Sequence, residues 1–194
     1  MQQSIVIKAR VNDVESTENA IFDLTDSLGT YFVQEDVYFN VPKGYLKLRI
    51  MHPNRCGHLI FNSNSKMSGH KMSKSQITEV EDVTQIRMTL AAALSELGTI
   101  RKKRRIFTVD NLRIYLDEVD EMGTFIDVSL TMNTSDEEVI IKKVADIRQK
   151  LQIQESDIVP VAYLDLMMQK LSFDEDTSSD SKYGSSDNDS DSSS

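Results

Sequence analysis

The chain has 194 residues and a formal net charge of −9, a length that suffices for one domain with a hydrophobic core. The charge is unevenly spread, because residues 174–194 hold seven acidic side chains and one lysine, which leaves only −3 for the rest of the chain. A body so nearly balanced lacks the strongly basic character of a general nucleic-acid-binding protein.

The cysteine content and the hydropathy of the chain limit the cellular compartments in which we expect the protein. Cys56 is the only cysteine, so neither an intrachain disulfide nor a cysteine-based metal site can be built. No basic segment followed by a long apolar stretch opens the chain, and no segment has the roughly 20 apolar residues that a membrane span needs. We therefore expect an intracellular protein, cytoplasmic or nuclear, with no membrane partner.

The first half of the chain predicts strands with one helix among them. Asn12 or Asp13 caps a helix that ends at Gly29, and a Val-Pro-Lys-Gly turn at 41–44 joins two strands. Strands are predicted near 4–11, 34–40, 45–51 and 57–63. The polar residues 62–78 are predicted to form a long mobile loop that carries Lys71.

The second half predicts a helix, two hairpins and two further helices. Helical spacing of apolar residues runs from about Glu79 to Leu97, and Ser135 with Glu138 forms a capping box before the next helix. Further strands are predicted near 100–109, 112–118 and 124–131, and a last helix near 155–171. Residues 1–172 thus read as one domain, and the Ser/Asp-rich residues 173–194 as a disordered acidic tail.

Charged residues recur at alternate positions along the predicted strands. Because strand side chains alternate between two faces, each such segment has one apolar and one ionic face. The bases of these ionic faces are Lys8, Arg10, Lys47, Arg49, Lys102, Arg104 and Arg113, and the acids are Asp117 and Asp127.

Two interpretations of this pattern stay open on the residues alone. The charged faces could be the solvated side of an open sheet, or they could line the interior of a closed one. In a closed sheet so many cations beside two acids would repel one another, and an anionic ligand would relieve that repulsion. Arginine suits phosphate because it donates two parallel hydrogen bonds.

An ordered set of short segments resembles one protein superfamily. These are VIKARV at 6–11, QEDVYF at 34–39, LKLR at 46–49, KMS at 71–73, RKKRR at 101–105, LRIYLDEV at 112–119 and GTFID at 123–127. The set is similar to that of CYTH proteins, the class IV adenylyl cyclases and thiamine triphosphatases, also called triphosphate tunnel metalloenzymes. The resemblance implies an α+β fold with an eight-stranded antiparallel β-barrel, the triphosphate tunnel, and flanking helices.

The resemblance also implies site residues. The phosphate contacts it indicates are Lys8, Arg10, Lys47, Arg49, Lys71, Lys102, Arg104 and Arg113. Asp117 and Asp127 remain as weak ligands for Mg²⁺ or Mn²⁺. The family's opening motif is E-x-E-x-K, and here Ser4 and Val6 stand at its two glutamate positions, while Ser129 replaces a late glutamate.

The missing acids shape the functional prediction. A hard cation such as Mg²⁺ needs oxygen ligands, so the loss of three carboxylates should weaken metal binding. The sequence therefore favours a catalytically degenerate CYTH-like protein, a pseudoenzyme, that binds a phosphorylated small molecule, polyphosphate or phosphoprotein segment. The alternatives are an active metal-dependent triphosphatase or nucleotidyl cyclase, and an interaction module that keeps only the fold.

The tail adds one hypothesis. Its hydroxyls stand just before acids, for example at 177–181 and 185–191, which is the pattern that acidophilic kinases prefer. Phosphorylation would add negative charge to an already acidic segment. Such a tail could compete with the ligand for the basic tunnel.

Overall fold

The computed structural model describes residues 2–53, 56–67, 70–131 and 136–180. Within these residues the chain forms eight β-strands, four α-helices and one short 3₁₀-helix. In chain order the elements are β1 Gln2–Arg10, α1 Val14–Thr25, β2 Thr30–Phe39, β3 Tyr45–His52, β4 Gly57–Met67, β5 His70–Val80, α2 Val83–Leu94, β6 Glu96–Val109, β7 Leu112–Val119, β8 Gly123–Thr131, α3 Glu137–Lys150, the 3₁₀-helix Glu155–Asp157 and α4 Tyr163–Asp180.

The described strands close into an antiparallel barrel in the order β1-β5-β4-β3-β2-β6-β7-β8. Antiparallel pairs of strands that follow one another in the chain account for most of this order: β2–β3, β3–β4, β4–β5, β6–β7 and β7–β8. β2 also pairs with β6, and β1 closes the barrel by pairing with both β5 and β8. The α+β barrel with flanking helices that the sequence predicts is confirmed.

Helices cover the outer face of the barrel on two sides. Ile140, Val144 and Ile147 of α3 belong to a buried cluster with outward residues of β1, β7 and β8. Val83 of α2 belongs to a second cluster with outward residues of β2 and β3, such as Val37. The apolar side chains of the strands therefore point outward to the helices, and the alternate polar side chains point into the barrel.

The predicted polar loop at 62–78 is wrong. Residues 57–67 and 70–80 form β4 and β5, paired from Gly57 opposite Val80 to Met67 opposite His70. Side chains that face a polar lumen need not be apolar, so these strands lack the apolar alternation that predicts a strand. Their backbone N–H and C=O groups are paired with neighbouring strands on both sides. At this point Ser75 Oγ donates to Asn62 Oδ1 at 2.8 Å across the hairpin.

Three predicted helices also have other boundaries in the structure. The helix predicted to end at Gly29 ends at Thr25, because Asp26, with a φ of 47°, caps α1. The helix predicted for 79–97 is shorter, because Ser95 with a φ of 63° ends α2 and Glu96 begins β6. The helix predicted for 155–171 is a 3₁₀-helix followed by α4 from Tyr163. The capping box falls partly outside the described residues, and the side chain that caps α3 is that of Asp136.

The chain divides into two compact units, residues 1–160 and 161–194. The first holds the barrel and α1 to α3. The second holds α4, where the Ala162 N–H donates to Asp165 Oδ2 at 2.9 Å near the start of the helix. α4 extends to Asp180 and so runs past residue 172, where the sequence predicts the end of the domain. That domain boundary stays a prediction. Among the described residues, no helix is both long and apolar enough to cross a membrane.

Candidate functional site

Strand pairing places every predicted site residue at a register position on one face of the barrel. Arg10 lies opposite Phe125, which lies opposite Asp117, which lies opposite Arg104. The other face packs against the helices, so this face is the lumen. By the same pairing the lumen positions include Lys8, Lys47, Arg49, Lys71, Lys102, Arg113 and Asp127.

A carboxylate that sequence analysis did not assign to the site organises one part of the lumen. Asp36 of β2 is fully buried, and its Oδ2 accepts hydrogen bonds from Lys47 Nζ and Lys102 Nζ, each at 2.9 Å. Arg49 adds two bonds, from Nε to Oδ1 at 2.7 Å and from one terminal nitrogen to Oδ2 at 2.9 Å. Three cations from two other strands thus converge on one carboxylate.

A second ion pair lies along the lumen beside the first. Arg104 of β6 and Asp117 of β7 are opposite each other and form two hydrogen bonds of 2.6 and 2.5 Å. Arg104 also stacks over the ring of Tyr115 at 4.3 Å, and both partners of the pair are buried. This fork geometry holds the guanidinium in one orientation.

The two ion-paired groups together contain more positive than negative charge. Four cations (Lys47, Arg49, Lys102 and Arg104) face two carboxylates (Asp36 and Asp117). Burial of charge at low dielectric is costly unless it is balanced. The cluster is therefore short of negative charge whenever both lysines are protonated.

The pKa values follow from this imbalance. Burial lowers the pKa of Lys102 to about 7, and the charge of Arg104 acts in the same direction. Burial lowers the pKa of Lys47 to about 8 despite the attraction of Asp36. Burial alone would raise the pKa of Asp36, but the charges of Arg49, Lys102 and Lys47 hold it well below its ordinary value.

The other predicted cations lie closer to solvent. Lys8 is half-buried and lies opposite Asp127 in the register of β1 and β8. Arg10 is exposed, stacks over Phe125 at 5.0 Å and donates to the Met122 carbonyl oxygen at 3.3 Å. Arg113 is also exposed. Lys71 is a β5 residue by its backbone, and its side chain lies outside the described part.

Two carboxylates of the lumen, Asp36 and Asp117, are already paired with cations. Asp117 uses both carboxylate oxygens in the pair with Arg104, and Asp36 uses both with its three cations. The described residues contain no cluster of three or more His, Cys, Asp or Glu side chains that could hold a metal ion. Mg²⁺ requires oxygen ligands that cations do not already occupy. The assignment of Asp117 and Asp127 as weak metal ligands stays a prediction.

The role of Asp36 was missed although the sequence contains a signal for it. The turn at 41–44 sets the β2–β3 hairpin, and its register puts Asp36 opposite Arg49 and Tyr38 opposite Lys47. Counting back from that turn would have placed an acid among the predicted cations. Lys102 comes from β6, 66 residues away, and this contact has no local signal.

Comparison with known proteins shows which family has this barrel. The model of the CYTH domain matches residues 2–163. The chain belongs to the CYTH domain family. The lumen described above is thus the lumen of a CYTH barrel.

Individual relatives of this CYTH chain are distant. A candidate adenylate cyclase of Methanocaldococcus jannaschii is 22% identical, with 84% of this chain and 97% of the relative covered. A solved structure from Pyrococcus horikoshii is 25% identical with a TM-score of 0.73, covering 84% of this chain and 98% of the other. A candidate adenylyl cyclase from Hippeastrum, described as having a dominant triphosphatase activity, is 15% identical with a TM-score of 0.61, covering 88% and 96%. At such identities the structural likeness establishes the fold.

Proposed function

We propose that this CYTH barrel binds a phosphorylated ligand in its lumen with little or no turnover. The observation that carries the proposal is the excess of positive charge around Asp36 and Asp117, whose carboxylates are already paired. A phosphate group would supply the missing negative charge and accept hydrogen bonds from arginine and lysine. A phosphorylated small molecule, an inorganic polyphosphate and a phosphorylated protein segment share this chemistry.

The proposal assigns the cations two roles. Lys47, Arg49, Lys102 and Arg104 form the buried floor of the anion site. Lys8, Arg10, Lys71 and Arg113 contribute from the lumen positions outside this floor. Asp36 and Asp117 orient the floor cations and keep the lumen folded when the ligand is absent.

The second candidate function is a metal-dependent triphosphatase or nucleotidyl cyclase. The Hippeastrum neighbour, with its described triphosphatase activity, favours it, and Asp117 and Asp127 would then hold Mg²⁺ or Mn²⁺. Such chemistry depends on the ion to neutralise developing charge on the phosphates. The pairing of Asp117 with Arg104 counts against it, because that bond must break before a metal can bind. The proposal therefore ranks binding above turnover.

A thermal-shift panel tests the proposal. Tripolyphosphate, ATP and thiamine triphosphate are each added with EDTA, with Mg²⁺ or with Mn²⁺, and phosphate release is followed in parallel. We expect a higher melting temperature with at least one ligand in EDTA, because a ligand that binds the native state stabilises it. We expect no enzymatic phosphate release.

Two variants one residue apart make the panel specific. Lys102→Met removes a lumen cation, and Lys103→Met removes its exposed neighbour from the opposite face of β6. The ligand shift should fall in the first variant and persist in the second. Metal-dependent phosphate release that is lost in Asp127→Asn would favour the enzyme instead. No shift with any polyanion would leave an interaction module that retains only the fold.

Two further parts of the proposal come from the sequence: the location of the protein in the cell and a kinase that acts on the tail. The lone Cys56 supports an intracellular protein, cytoplasmic or nuclear. An acidophilic kinase acting on the Ser/Asp-rich tail remains a further proposed partner.

A further inference from the structure

One side chain in the lumen has a buried polar atom with no partner. Gln34 of β2 is 2% exposed, and its Oε1 makes no hydrogen bond. Among the buried side-chain nitrogen and oxygen atoms of the described residues, no other is in this state. Buried acceptors in native proteins are almost always satisfied, so this atom requires a partner that the chain does not supply.

The position of Gln34 links this atom to the anion site. It precedes Asp36 by two residues, so both residues face the lumen. Its partners across the strands are Lys102 on β6 and Met51 on β3. Gln34 therefore lies at the edge of the cation cluster, next to Asp36 on the lumen face of β2.

Neither of the side chains opposite Gln34 donates a hydrogen bond to its Oε1. Lys102 Nζ donates to Asp36 Oδ2 at 2.9 Å, and the Met51 thioether has no hydrogen to donate. A donor that enters the lumen with a ligand would satisfy Oε1. Because cations adjoin the same position, the ligand must also be anionic beside its donor.

We propose that Gln34 is a specificity-determining residue whose Oε1 accepts a hydrogen bond from an O–H or N–H group next to a phosphate of the ligand. This inference rests on the proposed phosphate-binding function and adds the chemical class of ligand. The donor is either a phosphate oxygen that has kept its proton or a hydroxyl or amino group of an organic phosphate. A fully ionised inorganic polyphosphate has acceptors only and cannot make this bond.

The test compares ligands with and without a donor. The probes are tripolyphosphate at pH 9, most of which has lost its last proton, tripolyphosphate at pH 6, which retains a proton, and ATP at pH 9, which has hydroxyl and amino donors. Affinities are measured by calorimetry for the full chain and for Gln34→Met, Gln34→Glu and Gln76→Met. Gln76 is exposed on β5, so its variant controls for the same chemical change.

The expected result is a change in selectivity. Gln34→Met should weaken a donor-bearing probe by about three- to tenfold, the range that one hydrogen bond supplies. The same variant should leave tripolyphosphate at pH 9 unchanged. Gln34→Glu retains an acceptor and should keep the preference for the donor-bearing probe, even if its charge weakens all anions. Loss confined to pH 6 identifies a phosphate proton, and loss confined to ATP identifies a donor of the organic part.

The melting temperature of the ligand-free protein provides a second readout. Gln34→Met should raise it, because an acceptor without a partner disfavours the folded state. A fall in melting temperature that Gln34→Glu does not share would mean that Oε1 already has a partner, such as a bound water, and would overturn the inference. Equal weakening of all three probes would overturn it too. Absence of binding in the unmodified chain would instead overturn the proposed function itself.

Discussion

At the scale of single residues, Asp36 is the carboxylate that neutralises the most cations in the lumen. Its burial and its contacts with Lys47, Arg49 and Lys102 make it the counter-ion of three cations. Removing one partner from a buried ion group leaves the others uncompensated, which is far more costly than losing an exposed pair. The stability of the barrel should therefore depend on this carboxylate more than on any surface acid.

Asp36→Asn should lower the free energy of unfolding by about 3–5 kcal/mol, the range for breaking a buried ion pair. Urea denaturation at pH 7 measures the change. The control is Glu118→Gln, which removes the same charge from the exposed pair with Lys103 and should cost much less, because water screens that pair. Similar losses in both variants would show that Asp36 does not hold the cluster together.

Lys102 should make stability depend on pH. Its pKa is about 7 in the folded protein and near 10.5 in the unfolded chain, so across this window the unfolded state binds more protons. Stability contributed by this group therefore rises with pH from about 7 upward. The rise should be smaller in Lys102→Met, whereas Lys103→Met should follow the unmodified chain. Urea denaturation at pH 7, 8 and 9 measures it, and three parallel curves would contradict the assignment.

The same lysines should couple ligand binding to protonation. A phosphate beside Lys47 and Lys102 favours their charged forms, so binding at pH 8 should take up protons from the buffer. Calorimetry with tripolyphosphate in two buffers of different ionisation enthalpy measures this uptake. The uptake should shrink in Lys102→Met, and identical heats in both buffers would argue against a ligand beside these lysines.

At the scale of elements, the tightest constraint lies between β4 and α2. A Cβ at Gly57 would clash with Val83 Cγ1 and would lie 3.3 Å from the Arg49 carbonyl oxygen. Val83 begins α2 and is buried against the barrel, and its β-branched side chain has little freedom to turn away. Val83 at the start of α2 can therefore pack against the barrel only because Gly57 has no side chain.

Gly57→Ala should destabilise the barrel by about 1–3 kcal/mol through overpacking. Val83→Ala makes room for the new methyl group, so the double variant should be more stable than the sum of the two single losses predicts. Thermal and urea unfolding of the unmodified chain, the two single variants and the double variant measure this coupling in a double-mutant cycle. Strict additivity would mean that the clash is relieved elsewhere, by movement of α2 or of the Arg49 backbone.

The elements also show how far sequence reasoning reaches. The β2–β3 and β7–β8 hairpins follow from their turn residues and alternation, and their register puts Lys47, Arg49 and Arg113 on one face of the barrel. The β4–β5 hairpin escaped prediction because Asn62, Ser73 and Ser75 occupy lumen positions, where polar side chains remove the apolar period. A residue such as Gln34 is beyond sequence reasoning, since its unsatisfied state depends on side chains from three strands.

At the scale of the whole molecule, the sign of the charge differs between outside and inside. The chain has a net charge of −9, while the buried cluster contains more cations than carboxylates. A polyanion therefore meets repulsion from the molecule at long range and attraction only within the lumen. Salt screens the first effect strongly, with a Debye length of about 8 Å at physiological ionic strength, and buried charges much less.

Removing residues 174–194 takes away six of the nine net negative charges, and this should speed association with a polyanion. The gain should be clear at low salt and vanish at high salt, because it arises from long-range repulsion. Stopped-flow measurements with tripolyphosphate or ATP at 20 and 500 mM salt compare the two chains. A gain that persists at high salt would contradict pure repulsion and would point to direct competition by the tail for the lumen.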